Sequence, residues 1–461
     1  MISFLNYKIK ASYIATILIF LSLGINPSYL DDKILNYEVF INTARFFSPT
    51  IFLIGYFCFI KKYKFFDFLN TNIHIKFLFL ILIIILIFSL FSEIFSSQNL
   101  YFISYINIFL FISLLSQNSE KNEIKNNIII FIALGLIISI SLILFEILTN
   151  TINLAELYKA KILSFDVRFL NQAMPRSTGL SKFLLFILLI LLTLPSKNNI
   201  FLRLTLIALF SSLLILMNSR TSIIFFVIVV IYLIFCFPEE FKSKIQLFIV
   251  TLVIPFVVFI SVPNKFYNIQ EQEIIQEQEI IQEQEIIHEQ EIEKKKYKTE
   301  NKRKKTNDLI SLFLKSAEDS KNIKDNDELT NIEKISSGRV FLWKKIYNDF
   351  IDKNLNIFVG KGILGDKKIY QQSSSNGFIY SILSGGIFTL IFFLILNISI
   401  FYNVIKNLFY TRKINHEIFI NFIILYLLFR LLFENGYLLY VSDLYLFLTS
   451  LLYKNFKILK N

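Results

Sequence analysis

The feature that most constrains this chain is the recurrence of apolar runs too long for a soluble core. Leu78–Phe88 reads LFLILIIILIF, and Ile223–Phe237 holds fifteen residues without a charge. Inside hydrocarbon a backbone must satisfy its own polar groups, so such a run is read as a helix, and about 20 mostly apolar residues cross a bilayer. Comparable runs cover 11–25, 44–61, 75–95, 100–117, 127–148, 180–195, 200–217, 222–237, 245–263, 381–406, 417–433 and 438–453. Composition agrees, with 55% hydrophobic residues and 52 Phe, whereas soluble domains sit near ~45–50% apolar. The expected fold class is an all-α polytopic integral membrane protein with about twelve transmembrane helices. Its organisation is 1–263 (spans one to nine), 264–380 (one large outer loop) and 381–461 (spans ten to twelve). Lys8 and Lys10 precede the first run as in a secretory signal, but no small-x-small cleavage pattern follows, so an uncleaved first helix is expected.

Orientation follows from the short loops, because positive residues accumulate on the cytoplasmic side. With the N-terminus inside, the inner loops carry Lys62, Lys64, Lys121, Lys125, Lys197, Lys242, Lys244, Arg412 and Lys413, and the tail carries Lys454, Lys457 and Lys460. The outer short loops at 26–43, 96–99, 218–221 and 434–437 are nearly free of lysine. Both termini are therefore expected in the cytoplasm. Segments 149–179 and 264–380 face outward.

Arginine departs from this pattern. Of 47 cationic residues only nine are arginine, and all but Arg203 and Arg412 fall on the outer side of this topology. Membrane insertion favours the reverse, so a second demand placed them there. The planar guanidinium grips phosphates and carboxylates bidentately, which lysine does not imitate. An outer cluster of arginines at helix ends reads as a site for an anionic, diphosphate-type ligand at the membrane surface. Isolated ion pairs and snorkelling side chains are the blander alternative.

Other familiar chemistries are missing. His74 and His416 lie inside and His288 sits in a repeat, while Cys58 and Cys236 lie within spans. No residue group has metal-ligand spacing, no Ser-His-Asp set has a credible histidine, and neither a metal nor a cofactor is expected. Catalysis would rest on positioning and electrostatics acting on an already activated substrate.

The large loop has three parts. From Gln270 it repeats QEQEII three times and then reads HEQEIE. Six residues turn a helix by about 600°, so the Ile pairs make no sustained stripe, and a passive spacer is expected. KKKYKTENKRKK at 294–305 is basic but balances the acidic repeat, so no nucleic-acid partner is expected. Residues 264–335 are read as low-complexity and disordered. Residues 336–380 are read as ordered: Ser336 and Ser337 offer N-caps, and Val340, Trp343, Tyr347 and Phe350 recur at helical spacing, as in a helix lying in the outer interface. Arg339 would sit at its first turn.

Further on, "NIFVGKGILGD" (356–366) sets Gly360, Gly362 and Gly365 in the G-x-G-x-x-G spacing of a dinucleotide-binding turn. That turn needs a strand before it, a helix after it and a crossover to a second strand. Here a polar stretch and then a membrane span follow, on a side of the membrane essentially without nucleotides. The match is read as coincidental, and the glycines as allowing tight turns where the loop re-enters the membrane. The run at 381–406 is long enough to tilt, or to begin as a short re-entrant piece before Gly385–Gly386.

Four pieces in order resemble the bacterial O-antigen polymerase and ligase superfamily. They are "PRSTGLSKFL" (Arg176, Gly179), "NSRTS" (Ser219, Arg220, Thr221), "SGRVFLW…FVGKGILGD" (Gly338, Arg339, Trp343, Gly360, Gly362) and "SSNGFIYSILSGGIF" (Asn376, Gly385, Gly386). The resemblance implies glycosyl transfer at the periplasmic face of the bacterial inner membrane. Its substrates would be oligosaccharides linked to undecaprenyl pyrophosphate, with the lipid pyrophosphate released, and a polysaccharide chain-length regulator is a candidate partner. By resemblance Arg176, Arg220 and Arg339 are the foremost ligand-binding candidates, followed by Arg45, Arg430 and Asn376. Ligases of the superfamily carry a His-Asn pair where this chain has Ser375–Asn376, which favours the polymerase. Ligase and lipid-linked-oligosaccharide flippase remain the alternatives. For the acceptor hydroxyl a general base is wanted. Among the outer carboxylates Asp31, Asp32, Glu38, Glu93, Glu146, Glu156, Asp166, Glu434 and Asp443, the choice falls on Glu434, which follows Arg430 in "RLLFENGY". Its plainer role would be a turn residue paired with that arginine.

Overall fold

The computed structural model describes residues 11–21, 72–92, 97–117, 119–148, 177–193, 200–216, 219–236, parts of 246–257, 339–352, 355–370, 373–411 and 415–454. Among them there is no strand. The helices are α1 (Ala11–Leu21), α2 (Ile73–Ser92), α3 (Ser97–Gln117), α4 (Lys121–Leu148), α5 (Ser177–Thr193), α6 (Ile200–Leu216), α7 (Arg220–Cys236), α8 (Arg339–Ile351), α9 (Gly365–Tyr370), α10 (Gly377–Tyr410), α11 (His416–Arg430) and α12 (Val441–Lys454). Each of these helices except α8 and α9 falls on a run predicted to span. The run at 44–61 lies outside the described residues, and 245–263 is described only around a π-helical turn, Ile249–Val253. Two helices, α2 and α10, are long and apolar enough to cross a membrane, and α3, α5, α6 and α7 hold shorter apolar stretches.

These helices are apolar on nearly every face, and the structure uses both sides. Inward residues such as Leu78, Ile85, Phe393 and Ile400 join α2 to α10, and Phe131 stacks on Tyr445 with centroids 4.2 Å apart where α4 meets α12. Outward, Phe91, Phe201, Phe235, Ile398 and Phe409 stand exposed. In water so much exposed apolar surface would drive association; against lipid it costs nothing.

Charged residues collect at two opposite ends of the bundle. At one end Lys121 at the start of α4 and Lys454 at the close of α12 meet Glu417 in the first turn of α11, at 3.0 and 3.7 Å. The opposite end gathers the close of α11, the first turns of α5 and α12, and the entry to α10. The helices α11 and α12 thus run antiparallel, joined by a tight turn in which Gly436 takes a φ of 55°.

Helix α10 is broken. Gly386 has φ 72° and ψ −175°, which divides the helix at the glycine pair: a short piece from Gly377, a break, then a long continuation. A break frees carbonyls and amides that hydrocarbon cannot satisfy. The glycine loop supplies them. Lys361 N donates to Leu383 O at 2.8 Å, Gly362 N to Ser384 O at 2.9 Å, and Ile387 N donates back to Ile357 O at 2.8 Å.

This explains the G-x-G-x-x-G spacing. A Cβ on Gly360 would collide with the Ser384 carbonyl, and Gly362 adopts φ 74° against the backbone of Ser89 in α2. A helix does open at Gly365, but no strand precedes it among the described residues. The glycines buy close backbone approach between loop and broken helix.

Helix α8 forms as the spacing predicts, and a second apolar face, not singled out in the sequence, packs inward. The buried positions are Leu342 and Ile346, packed with Phe350 against Leu383, Ile379 and Ile382. Val340 and Tyr347 of the predicted interfacial stripe are exposed, and Trp343 lies at the boundary. The physical reason is that the helix docks on the short first piece of α10, offering Leu342 and Ile346, one helical turn apart, to that contact. The stripe Val340, Trp343, Tyr347 and Ile351 is left facing outward. Ser336 and Ser337 lie outside the described residues.

Candidate functional site

Helix α5 places Lys182 in its second turn, α11 places Arg430 at its last residue, and α12 places Asp443 in its first turn. Lys182 Nζ donates to Asp443 Oδ1 at 2.8 Å and also to Ser442 Oγ; Arg430 Nη1 donates to the same Oδ1 at 2.9 Å. Arg430 Nη1 lies 2.9 Å from Oδ2 as well, but without hydrogen-bond geometry, so that oxygen has no donor among the described residues. All three side chains are at most 5% exposed. Tyr440 adds its ring, 5.8 Å from the Arg430 guanidinium carbon. Two cations share one carboxylate, leaving a buried surplus of positive charge. Taking one member of a buried pair away typically costs about 3–5 kcal/mol, because the remaining charge has lost its partner.

Above this cluster the α11–α12 turn carries Glu434. Its amide donates to Arg430 O at 2.8 Å, and its carboxylate, 10% exposed, faces Arg339 of α8, Nη2 to Oε1 3.9 Å. The turn is pinned through the next residue. Asn435 Nδ2 reaches Asp366 Oδ2 at 3.3 Å and Ser373 Oγ at 3.2 Å. Asp366, the last residue of the glycine loop, also accepts from Ser374 N at 2.8 Å, Ser374 Oγ at 3.0 Å and, through Oδ1, Lys367 N at 2.9 Å. Trp343 Nε1 donates to Ser374 O at 2.7 Å. Helix α8, the glycine loop and the turn bearing Glu434 are thereby one unit. Nearby, Tyr370 OH donates to Asp349 at 2.7 Å; burial and that carboxylate raise its phenol well above the usual tyrosine range.

The predicted residues are therefore distributed unevenly. Arg430, Glu434 and Arg339 come together. Arg430 is held by Asp443, and Glu434 faces Arg339, so the expected Glu434–Arg430 pairing is replaced by two others. Asn376 is the N-cap of α10: Oδ1 accepts from Phe378 N and Ile379 N, and Nδ2 donates to Leu432 O at 3.0 Å. Beside it Ser375 holds a φ of 48°, in the left-handed region that costs a non-glycine residue about 1 kcal/mol or more. Arg220 is exposed at the start of α7. Its neighbour Ser219 opens a hydroxyl chain, Ser219 to Ser222 at 3.2 Å and Ser222 to Tyr426 at 2.9 Å, that ends one turn before Arg430. Arg45 and Arg176 lie outside the described residues.

Lys182 is the site residue that sequence reasoning missed. The signal was present: a lysine inside the apolar run of "GLSKFLLFILLILL". An ionisable residue at such a position demands a buried partner. The described residues hold no cluster of three or more His, Cys, Asp or Glu able to bind a metal.

Comparison with models of known protein families, with curated proteins and with solved structures returns no match for this chain.

Proposed function

We propose that this chain is a polytopic glycosyltransferase of the inner membrane, with about twelve spans, that polymerises undecaprenyl-pyrophosphate-linked oligosaccharide repeat units at the periplasmic face. The observation that carries the reading is the cationic cluster at one end of the helix bundle: buried Lys182 and Arg430 around Asp443, with Glu434 and Arg339 over them. The opposite, Lys121–Glu417–Lys454 end suits the cytoplasm, since the lysine-bearing loops belong there.

Chemically, an acceptor hydroxyl attacks C1 of the donor sugar. The new C1–O bond forms as the bond from C1 to the phosphate oxygen breaks; the electron pair leaves on the diphosphate and the hydroxyl proton passes to Glu434. In this scheme Arg339, with Arg220 as a second candidate, meets the diphosphate, and the buried cations stabilise its growing charge through their field. No nucleotide or metal is required by this scheme. The chain-length of the product would be set with a separate regulator.

A lipid-linked-oligosaccharide flippase is the second reading, favoured by the burial of Lys182, Arg430 and Asp443, since a transported diphosphate also needs charge inside the bundle. Purified protein reconstituted with a lipid-linked repeat unit separates the two. Release of undecaprenyl pyrophosphate with formation of a ladder of oligomers is expected, and Arg339→Ala or Arg220→Ala should lower it at least about tenfold. Transport with the donor left uncleaved would establish the flippase. In cells lacking the protein, surface polysaccharide should shrink to a single capped repeat unit; loss of that unit too would point to ligase or flippase.

A further inference from the structure

We infer that Glu434 is the resident counter-ion of the site: its carboxylate holds the place of a ligand's diphosphate beside Arg339, and an incoming lipid-linked diphosphate displaces it and frees it to act as base. This deepens the reading above and rests on it.

Three observations carry the inference. First, Glu434 is 7% exposed, yet among the described residues no donor hydrogen-bonds its carboxylate. A carboxylate so far removed from water is costly unless charges compensate it. The compensation is electrostatic, from Arg339 at 3.9 Å and, beneath the turn, from Arg430 and Lys182. Second, the charges do not balance. Lys182, Arg430 and Arg339 supply three positive charges, and Asp443 answers one of them directly. Glu434 answers a second, so one positive charge is left over while it is in place and two when it moves away. A sugar–diphosphate–lipid diester carries two negative charges. Third, the geometry favours exchange. A phosphate can take two N–H bonds from a guanidinium, whereas Glu434 stands beyond hydrogen-bond distance of Arg339.

The exchange needs only a side-chain rotation. The backbone of the turn is fixed by Glu434 N on Arg430 O and by Asn435 on Asp366. The displaced carboxylate thus stays beside the diphosphate, where the acceptor hydroxyl must approach. Donor binding and release of the base become one event.

The test is a binding titration with full-length protein in nanodiscs, using farnesyl diphosphate as the probe. Trp343, the single tryptophan, lies one turn from Arg339 and reports occupancy by its fluorescence. Glu434→Gln should bind the probe about tenfold more tightly than wild type, since removing a competing anion this close is worth at least that factor. Arg339→Ala should weaken binding and shrink the gap between Glu and Gln at 434. Inorganic pyrophosphate, run in parallel, should show the same gap at lower affinity, because the lipid contributes no charge; equal affinity for both probes would mean the head group alone is read. Glu434→Ala serves as a second neutral variant should Glu434→Gln fold poorly. If wild type binds the probe and neither neutral variant binds it more tightly, the inference falls while the functional reading stands. If wild type binds neither probe, the diphosphate reading falls and the inference with it.

Discussion

Replacing Asp443 by Asn should be far more damaging than replacing either of the cations it holds. Lys182 Nζ and Arg430 Nη1 lie 2.8 and 2.9 Å from the same oxygen, so they are at most about 5.7 Å apart. At an effective dielectric of about 20, two unit charges at that separation repel by about 3 kcal/mol, and each attraction to the carboxylate is worth about 6 kcal/mol. Lys182→Met forfeits one attraction but also removes one repulsion, leaving a net loss of about 3 kcal/mol, against which the lysine's desolvation cost is recovered. Asp443→Asn forfeits both attractions and keeps the repulsion. The pair Lys182→Met/Asp443→Asn should therefore be more stable than Asp443→Asn alone, by about 3 kcal/mol or more. Thermal unfolding of the purified variants in one detergent, followed by loss of the monodisperse peak on size exclusion, measures the order. Wild type should melt highest, then Lys182→Met, then the double variant, with Asp443→Asn lowest. A double variant that melts below Asp443→Asn would refute the shared-carboxylate account, as would Asp443→Asn melting level with Lys182→Met.

Three further outcomes follow from the geometry. Gly386→Ala, at φ 72° and against the Phe358 carbonyl, should cost at least about 2 kcal/mol and expose 355–365 to protease; Gly362→Ala should behave alike, and unchanged cleavage of both would contradict the docked loop. Asp366→Asn should cost about 1–3 kcal/mol by replacing an acceptor with a donor, and should shift Trp343 emission to the red as Ser374 loosens; unaltered emission would show that the bonds of Asp366 do not hold the α8 contact. Asn421, fully buried in α11 with neither amide atom partnered among the described residues, should tolerate Asn421→Leu with an unchanged or raised melting temperature; a clear drop would reveal a polar partner.

The helices were legible in the sequence because hydrocarbon leaves a run such as Leu78–Phe88 no alternative. Which face of a helix turns inward was not. In α8 the 3.6-residue period is visible, but two apolar stripes share it, and only the docking partner, α10, selects Leu342 and Ile346 over Val340 and Tyr347. The candidate site was half legible. Arginine usage drew attention to Arg339 and Arg430, and the turn chemistry to Glu434. Pairing was not accessible, since Lys182 and Asp443 are 261 positions apart and nothing local joins them. Asn376 shows the converse: its neighbours made it a ligand candidate, while its position before Gly377 made it an N-cap.

The glycine loop and the charge cluster depend on one another, and this bears on the repeat at 270–293. The break at Gly386 diverts Ile387 N to Ile357 O, and the loop at 357–362 docks there, with Lys361 N and Gly362 N donating to Leu383 O and Ser384 O; in hydrocarbon an unpaired group would cost several kcal/mol. Asp366 then ties the end of that loop to Ser374 and Asn435, and Trp343 ties α8 to Ser374. Arg339 is thus held over Glu434 by anchors in 343–387, in the 434–435 turn and in α2, where Ser89 Oγ accepts from Ile363 N at 3.2 Å. None of the residues named in these bonds belongs to 270–293. Removing three QEQEII units, 270–287, should therefore leave both the melting temperature and the polysaccharide ladder as in wild type, whereas Asp366→Asn, outside the repeat and far smaller a change, should shorten the ladder. A repeat deletion that abolished polymer at normal expression would mean that the segment before Arg339 holds it in place, and would overturn the anchoring argued from these contacts.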